Sequence, residues 1–232
     1  MHTFLEDNDL IVEEYKAFLS SKKFPCIAAK AALSKQQVQC MVVDHMACPK
    51  DDHAILQGIY RFIDIYHQAG TAFHSMAVIF KAPQKLNDDL FDELMWRRLQ
   101  ALRDLDSKIY GYDKRVDADP RSANFSFSLK EESFFIIGLH GNSNRPARQF
   151  RYPTLVFNPH AEFEKLREAN RYEHMKTAVR KRDILYSGSI NPMLKNYGEQ
   201  SEVYQYSGRN YDSQWQCPLK NNYATTEHHT TP

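Results

Sequence analysis

Two hydrophobic periods alternate along the chain, and the switches between them mark its elements. Leu10, Ile11, Tyr15, Phe18 and Leu19 recur at helical spacing, which predicts a helix over Leu5–Leu19. Phe24-Pro25-Cys26 interrupts that pattern, and a short second helix is expected over Ala28–Leu33. Gln39–Val43 reads as a strand. Asp51 and Asp52 suit a helix start; Ile55, Ile59, Phe62, Ile63 and Tyr66 supply its face, and Gly70 ends it. Ala72–Phe80 reads as an apolar strand closed by Pro83. Asn87-Asp88-Asp89 opens a further helix, carrying Leu90, Leu94, Leu99 and Leu102 to about Asp106.

Phe125–Leu129 alternates with period two, as a half-buried strand does. Glu131-Glu132 is the expected turn, and Phe134–Leu139 the antiparallel partner. Thr154–Phe157 is another short strand. Pro159 stands where a helix with Phe163 and Leu166 on its face can begin, and a second helical stretch runs from Tyr172 to about Arg182. After Ser187 the periodicity stops. Gly188, Pro192, Gly198 and Gly208 mingle with Tyr197, Tyr204, Tyr206 and Tyr211, which reads as a long aromatic-rich C-terminal arm. Residues 221–232 are polar and are expected to be a disordered tail. The expectation is one α+β domain over residues 1–220: a small, mostly antiparallel sheet with packed helices and the arm.

Composition narrows the partners. A 42% hydrophobic chain of 232 residues can bury a sizeable core. A net charge of +1 argues against coating nucleic acid or an anionic membrane by bulk charge. Cys26, Cys40, Cys48 and Cys217 form no C-x-x-C pair and read as reduced thiols of a cytoplasmic protein. The N-terminus carries no basic, apolar leader pattern, and no apolar run approaches the ~20 residues of a membrane span.

The densest chemistry lies in Gly138–Arg151, where an apolar strand ends in His140 and a polar loop carries Arg145, Arg148 and Arg151. The next strand delivers Asn158-Pro159-His160 to its own end. If the two strands are neighbours, these groups share one rim. Imidazole ligates haem iron, zinc or copper, and guanidinium pairs with carboxylates, haem propionates included. The same residues read equally well as strand caps and solvated arginines. Cys26 and Cys217 beside proline could be thiolate ligands, with small buried hydrophobes the favoured reading. His67, His74 and the tail pair His228-His229 read as surface residues. No nucleophile elbow, H-E-x-x-H or phosphate-binding loop motif is present.

Several blocks in one order resemble a known family. They are Phe24-Pro25-Cys26 with Ala29-Lys30-Ala31; Leu139-His140 with Arg145, Arg148 and Phe150; and Pro153–His160 with Phe163 and Leu166-Arg167. Arg180, Arg182-Asp183, Gly188-Ser189, Asn191–Leu194, Gly198, Ser201-Glu202, Gln205–Arg209, Trp215 and Cys217-Pro218 continue the match. Together they are similar to the YqcI/YcgG family over about residues 20–219. The resemblance implies a haem-dependent N-oxygenase acting on a small amine or guanidine-type metabolite, such as arginine. It implies haem b and an external electron donor; the near-neutral charge and the short apolar runs point to no nucleic acid or membrane partner, and a homodimer is compatible with the whole.

On that reading His140 is the expected iron ligand and His160 the second choice. Arg145 and Arg148 would pair with propionates, with Arg151 behind them. Gln205–Arg209, including Tyr206 and Arg209, would close over the haem or the substrate. Asp44, Asp183 and Glu202 are candidate clamps for a guanidine. The family usually has proline after the histidine and a Ser-Ser-Arg run, whereas this chain reads His140-Gly141-Asn142-Ser143-Asn144-Arg145. A non-catalytic haem carrier, store or sensor, and a zinc or cofactor-free protein, are the competing readings.

Overall fold

Alternate residues of each strand divide the apolar side chains between two faces of one five-stranded sheet. The computed structural model describes residues 8–223 apart from 71, 72, 169, 192 and 194. His228-His229 and most of the expected tail lie outside the described residues. The strands are β1 (Val38–His45), β2 (Ser75–Ala82), β3 (Phe127–Leu129), β4 (Glu132–Leu139) and β5 (Thr154–Pro159). Their order is β1-β2-β5-β4-β3. β1 and β2 pair in parallel; β2–β5, β5–β4 and β4–β3 pair antiparallel. The sheet is therefore mostly antiparallel with one parallel edge. The 18-residue helix α3 (Asp52–Ala69) makes that crossover, which a parallel pair needs.

The other helices are α1 (Asn8–Ser20), α2 (Ile27–Ser34), α4 (Asp88–Asp106), α5 (His160–Glu168), α6 (Tyr172–Ser187) and the single turn α7 (Val203–Tyr206). Asn87 caps α4 by accepting the Leu90 amide at 2.9 Å. Gly70 ends α3 at φ +61°, a left-handed position that glycine adopts freely. The β3–β4 hairpin turns through Lys130 and Glu131 at φ +50° and +57°, one residue earlier than expected. Both positions of such a turn favour glycine or asparagine; here the Lys130 amide is pinned to Asp106 Oδ1 at 2.9 Å.

On one face, Met76, Val78 and Phe80 of β2, Phe134 and Ile136 of β4, and Leu155 and Phe157 of β5 join α3 and α4 in the main core. Val203, Tyr206 and Leu219 belong to that same core, so the irregular C-terminal segment packs into the domain. A buried Asp52–Arg98 ion pair ties α3 to α4, and Arg98 also donates to the carbonyls of Met46 (2.6 Å) and Cys48 (2.7 Å). On the other face, Ala77, Ile79, Leu139 and Val156 pack with Ile11, Tyr15 and Leu19 of α1 and with Phe24. The fold is thus α+β with helices on both faces.

Candidate functional site

The second face does not close completely. A cavity of about 280 Å³ opens between the sheet and helices α1, α2, α5 and α6. Its floor is Phe135, Ile137 and Leu139 of β4 with Val156 and Asn158 of β5, residues that alternation places on one side. Leu19, Phe24, Ala29 and Ala32 form an apolar flank. Tyr172, Met175, Lys176, Val179 and Arg180, spaced along one face of α6, form the cover. None of the α6 side chains is fully buried.

The polar end of this cavity contains His160, Tyr197, Glu202 and Glu162. Glu202 is buried, and its Oε1 accepts from Ser126 Oγ at 2.8 Å and from the Tyr206 hydroxyl at 2.5 Å. Burial pushes its carboxyl up to about 8, against the opposing effect of those two donors. Glu202 Oε2 stands 3.9 Å from His160 Nδ1, beyond hydrogen-bond reach. That Nδ1 is buried and has no hydrogen-bond partner among the described residues. His160 Nε2 lies 3.3 Å from Glu164, and the ring packs 4.4 Å from Tyr197. Desolvation lowers the His160 pKa, which favours a neutral imidazole.

His140 does not share this site. β4 and β5 are neighbours, as the shared rim requires, but they run antiparallel, with Leu139 opposite Thr154 and Phe134 opposite Pro159. Their C-terminal ends therefore lie at opposite edges, about 20 Å apart at ~3.3 Å per residue. His140 also follows the parity of Phe134 and Ile136 and faces the main core. It is fully buried, stacks on Phe91 with ring centroids 4.5 Å apart, and its Nε2 lies 2.9 Å from Asp88 Oδ1.

The arginines expected around it bond to the protein itself. Arg145 donates to Asp183 Oδ2 at 2.6 Å and to the Ser189 carbonyl at 3.0 Å. Arg148 donates to the carbonyls of Gly138 (3.2 Å), Tyr206 (2.6 Å) and Gln205 (2.5 Å). Burial pulls its guanidinium down to about 10. Arg151 reaches Tyr152 and lies 3.7 Å from Glu14. Arg209 pairs with Asp89 at 3.0 Å and Asp92 at 3.6 Å. Arg145 and Arg148 thus brace the 139–151 loop against α6 and α7 rather than lining the cavity. Tyr206 does not line the cavity; it touches Glu202 and packs edge-on against Phe135 of the floor, ring centroids 5.8 Å apart. Asp44 pairs with Lys50 at the surface.

Sequence reasoning undervalued His74, which is buried and lines the cavity, and overlooked Asn158 and Arg180 as site residues; Tyr197 of the aromatic arm does line it. Asn158 was legible in principle, since it shares the parity of Val156. All four cysteines are free thiols, and Cys26 caps α2 by accepting the Ala29 amide at 3.4 Å. Among the described residues no cluster of three or more His, Cys, Asp or Glu could hold a metal ion. No helix among them is long and apolar enough to cross a membrane.

Fold and cavity together define a mixed α+β protein with a small apolar chamber ending in a buried acid and an imidazole. The chain belongs to the YqcI/YcgG family, whose pattern matches residues 15–220. It is 28% identical to YqcI of Bacillus subtilis (strain 168) over 85% of this chain and 80% of that protein. It is 26% identical to YcgG of the same strain over 84% and 80%. Both relatives are described as uncharacterized proteins. No solved structure matches the chain.

Proposed function

We propose that the chain is a haem-dependent N-oxygenase of a small amine or guanidine-type metabolite, using haem b and an external electron donor, with the cavity as its site. The observation that carries this is the place of His160: a buried imidazole on an apolar cavity wall whose Nδ1 has no hydrogen-bond partner among the described residues, whereas His140, its Nδ1 likewise unpartnered, lies outside the cavity. An orphaned buried nitrogen is costly, and a ligand or metal that engages the ring removes that cost. The wall suits the group chemically, with aromatic and aliphatic faces for a macrocycle, an imidazole for iron, and cations on α6 for acidic edges. At about 280 Å³ the cavity falls just below the roughly 300–1,000 Å³ typical of small-molecule sites. A macrocycle would need α6, the cover with no fully buried side chain, to move outward.

Haem, when bound, supplies the oxygen-activating chemistry. The chain's own residues do the rest. His160 takes the place as ligand that the sequence had offered first to His140. Phe135, Ile137, Leu139 and Val156 keep water away from the chamber. Glu202, fixed through Ser126 and Tyr206, presents Oε2 toward His160 and can hold or release a proton near neutrality. The test is the ultraviolet–visible spectrum of protein reconstituted with haemin, followed by turnover of L-arginine with a reductant and O₂. A Soret shift with an N-hydroxylated product supports the reading. A Soret shift without product leaves a non-catalytic haem binder, and no shift removes haem altogether.

A further inference from the structure

The geometry points to Arg180 as a carboxylate-binding residue of the cavity, the group that grips the acidic end of whatever occupies it. This rests on the cavity being a ligand site, as the proposed function has it, and adds a named recognition element that the reading does not contain.

Arg180 lies on the α6 face that covers the chamber, one turn after Lys176. Of the other cations that line the chamber, Lys195 is exposed, and Lys176 and Arg167 are paired. Lys176 donates to Glu173 at 2.6 Å and to Asn196 at 3.1 Å. Arg167 pairs with Glu164, and Arg145 with Asp183. Arg182 donates to the carbonyls of Phe24 (2.9 Å) and Lys22 (3.2 Å). Arg182 Nε is buried without a partner too, but its Nη2 is held by those carbonyls and it does not line the chamber; Arg180 Nε is buried, meets no hydrogen-bond partner among the described residues and lies on the chamber wall. A buried guanidinium N–H without an acceptor is a standing cost, and a carboxylate is the partner whose two oxygens match the Nε–Nη fork.

The remaining wall decides polarity. The sheet side ends in Glu202 Oε2, His160 Nδ1 and Glu162 Oε1, the last two without partners among the described residues. Those three atoms offer a carboxylate no cation, whereas α6 does. The chamber is therefore polarised, with acidic groups directed to the cover and donor groups to the floor. Two sources share this chemistry: a haem propionate, or the carboxylate of an amino-acid-like substrate.

The test uses the full chain without haem and two probes of equal length, hexanoate and 1-hexanol, followed by calorimetry. Wild type should bind hexanoate about tenfold or more tightly than hexanol. Arg180→Gln should lose that preference while hexanol binding stays the same. Arg180→Lys, which keeps the charge but not the fork, should retain only part of it, and it serves as the test if Arg180→Gln fails to fold by circular dichroism. Equal affinities in wild type, absence of binding by either probe, or an undiminished preference in the variants overturns the assignment. Two further arms separate the sources. Selective weakening of haemin against its dimethyl ester marks a propionate site. Selective weakening of L-arginine against agmatine marks a substrate carboxylate. A hexanoate preference with no Soret band from haemin sinks the haem reading and keeps this site; a Soret band without the preference does the reverse.

Discussion

Glu202 and Tyr206, one helical turn apart at α7, are joined by a 2.5 Å hydrogen bond from the tyrosine hydroxyl to Glu202 Oε1. The same hydroxyl accepts the Phe127 amide at 3.2 Å, so the pair ties α7 to the sheet. Both side chains are buried, and burial holds the Tyr206 phenol well above its ordinary value. The acid is therefore set by the fold and not by solvent.

That relationship has a pH signature. The Glu202 carboxyl is raised from 4.5 to about 8, so the native state keeps a proton that the unfolded chain releases. Its stabilising contribution is fully present below about pH 4.5 and is lost as pH rises through about 8. Glu202→Gln keeps the acceptor oxygen and removes the titration. Urea unfolding of haem-free protein should show wild type losing stability relative to this variant across that window, at up to about 1.4 kcal/mol per pH unit. Parallel profiles would show that the carboxyl is not proton-linked to folding.

Histidine replacement separates the two candidates for iron. His140 stacks on Phe91 against Asp88 on the far face from the cavity, so His140→Ala should destabilise the fold by about 2–4 kcal/mol. It should leave the ferric and ferrous-CO spectra of haem-reconstituted protein unchanged at a temperature where the variant is folded. His160→Ala should change the spectra with a smaller effect on stability. The reverse pattern would return the ligand to His140.

Much of the fold was legible because it depends on local period. Gly70 and Asn87 marked helix ends that the structure keeps, and the apolar run Phe134–Leu139 falls within β4, which begins two residues earlier at Glu132. Parity also held the clue that His140 faces the core, since it falls in step with Phe134 and Ile136. Strand direction was the missing variable. An apolar run such as Thr154–Phe157 reads the same in either orientation, and only the antiparallel register separates His140 from His160. Glu202 looked weak because its burial depends on Ser126, 76 positions away. The arginine loop looked like a ligand site because main-chain carbonyls, the real partners of Arg148, leave no mark in a sequence.

Arg148 makes a sharp test of that structural role. Its guanidinium spans three carbonyls from β4 and α7, a geometry that lysine cannot reproduce with one ammonium. Arg148→Lys should cost about 2–4 kcal/mol in urea unfolding, because buried carbonyls lose charged donors. A change within about 0.5 kcal/mol, the scale of an ordinary surface substitution, would remove the bracing role.

Gly138 is the point where three parts of the molecule meet. A Cβ there would lie 2.5 Å and 2.8 Å from atoms of the Phe91 ring and 3.2 Å from the Tyr206 carbonyl. Phe91 is fully buried and already stacked on His140, so its ring has nowhere to retreat. Gly138→Ala should therefore destabilise the protein by about 1–3 kcal/mol through overpacking. Adding Phe91→Leu should recover part of that loss, since the smaller side chain vacates the space the new methyl needs. Strictly additive losses in the double variant would show that the contact between Gly138 and Phe91 is not what limits the site.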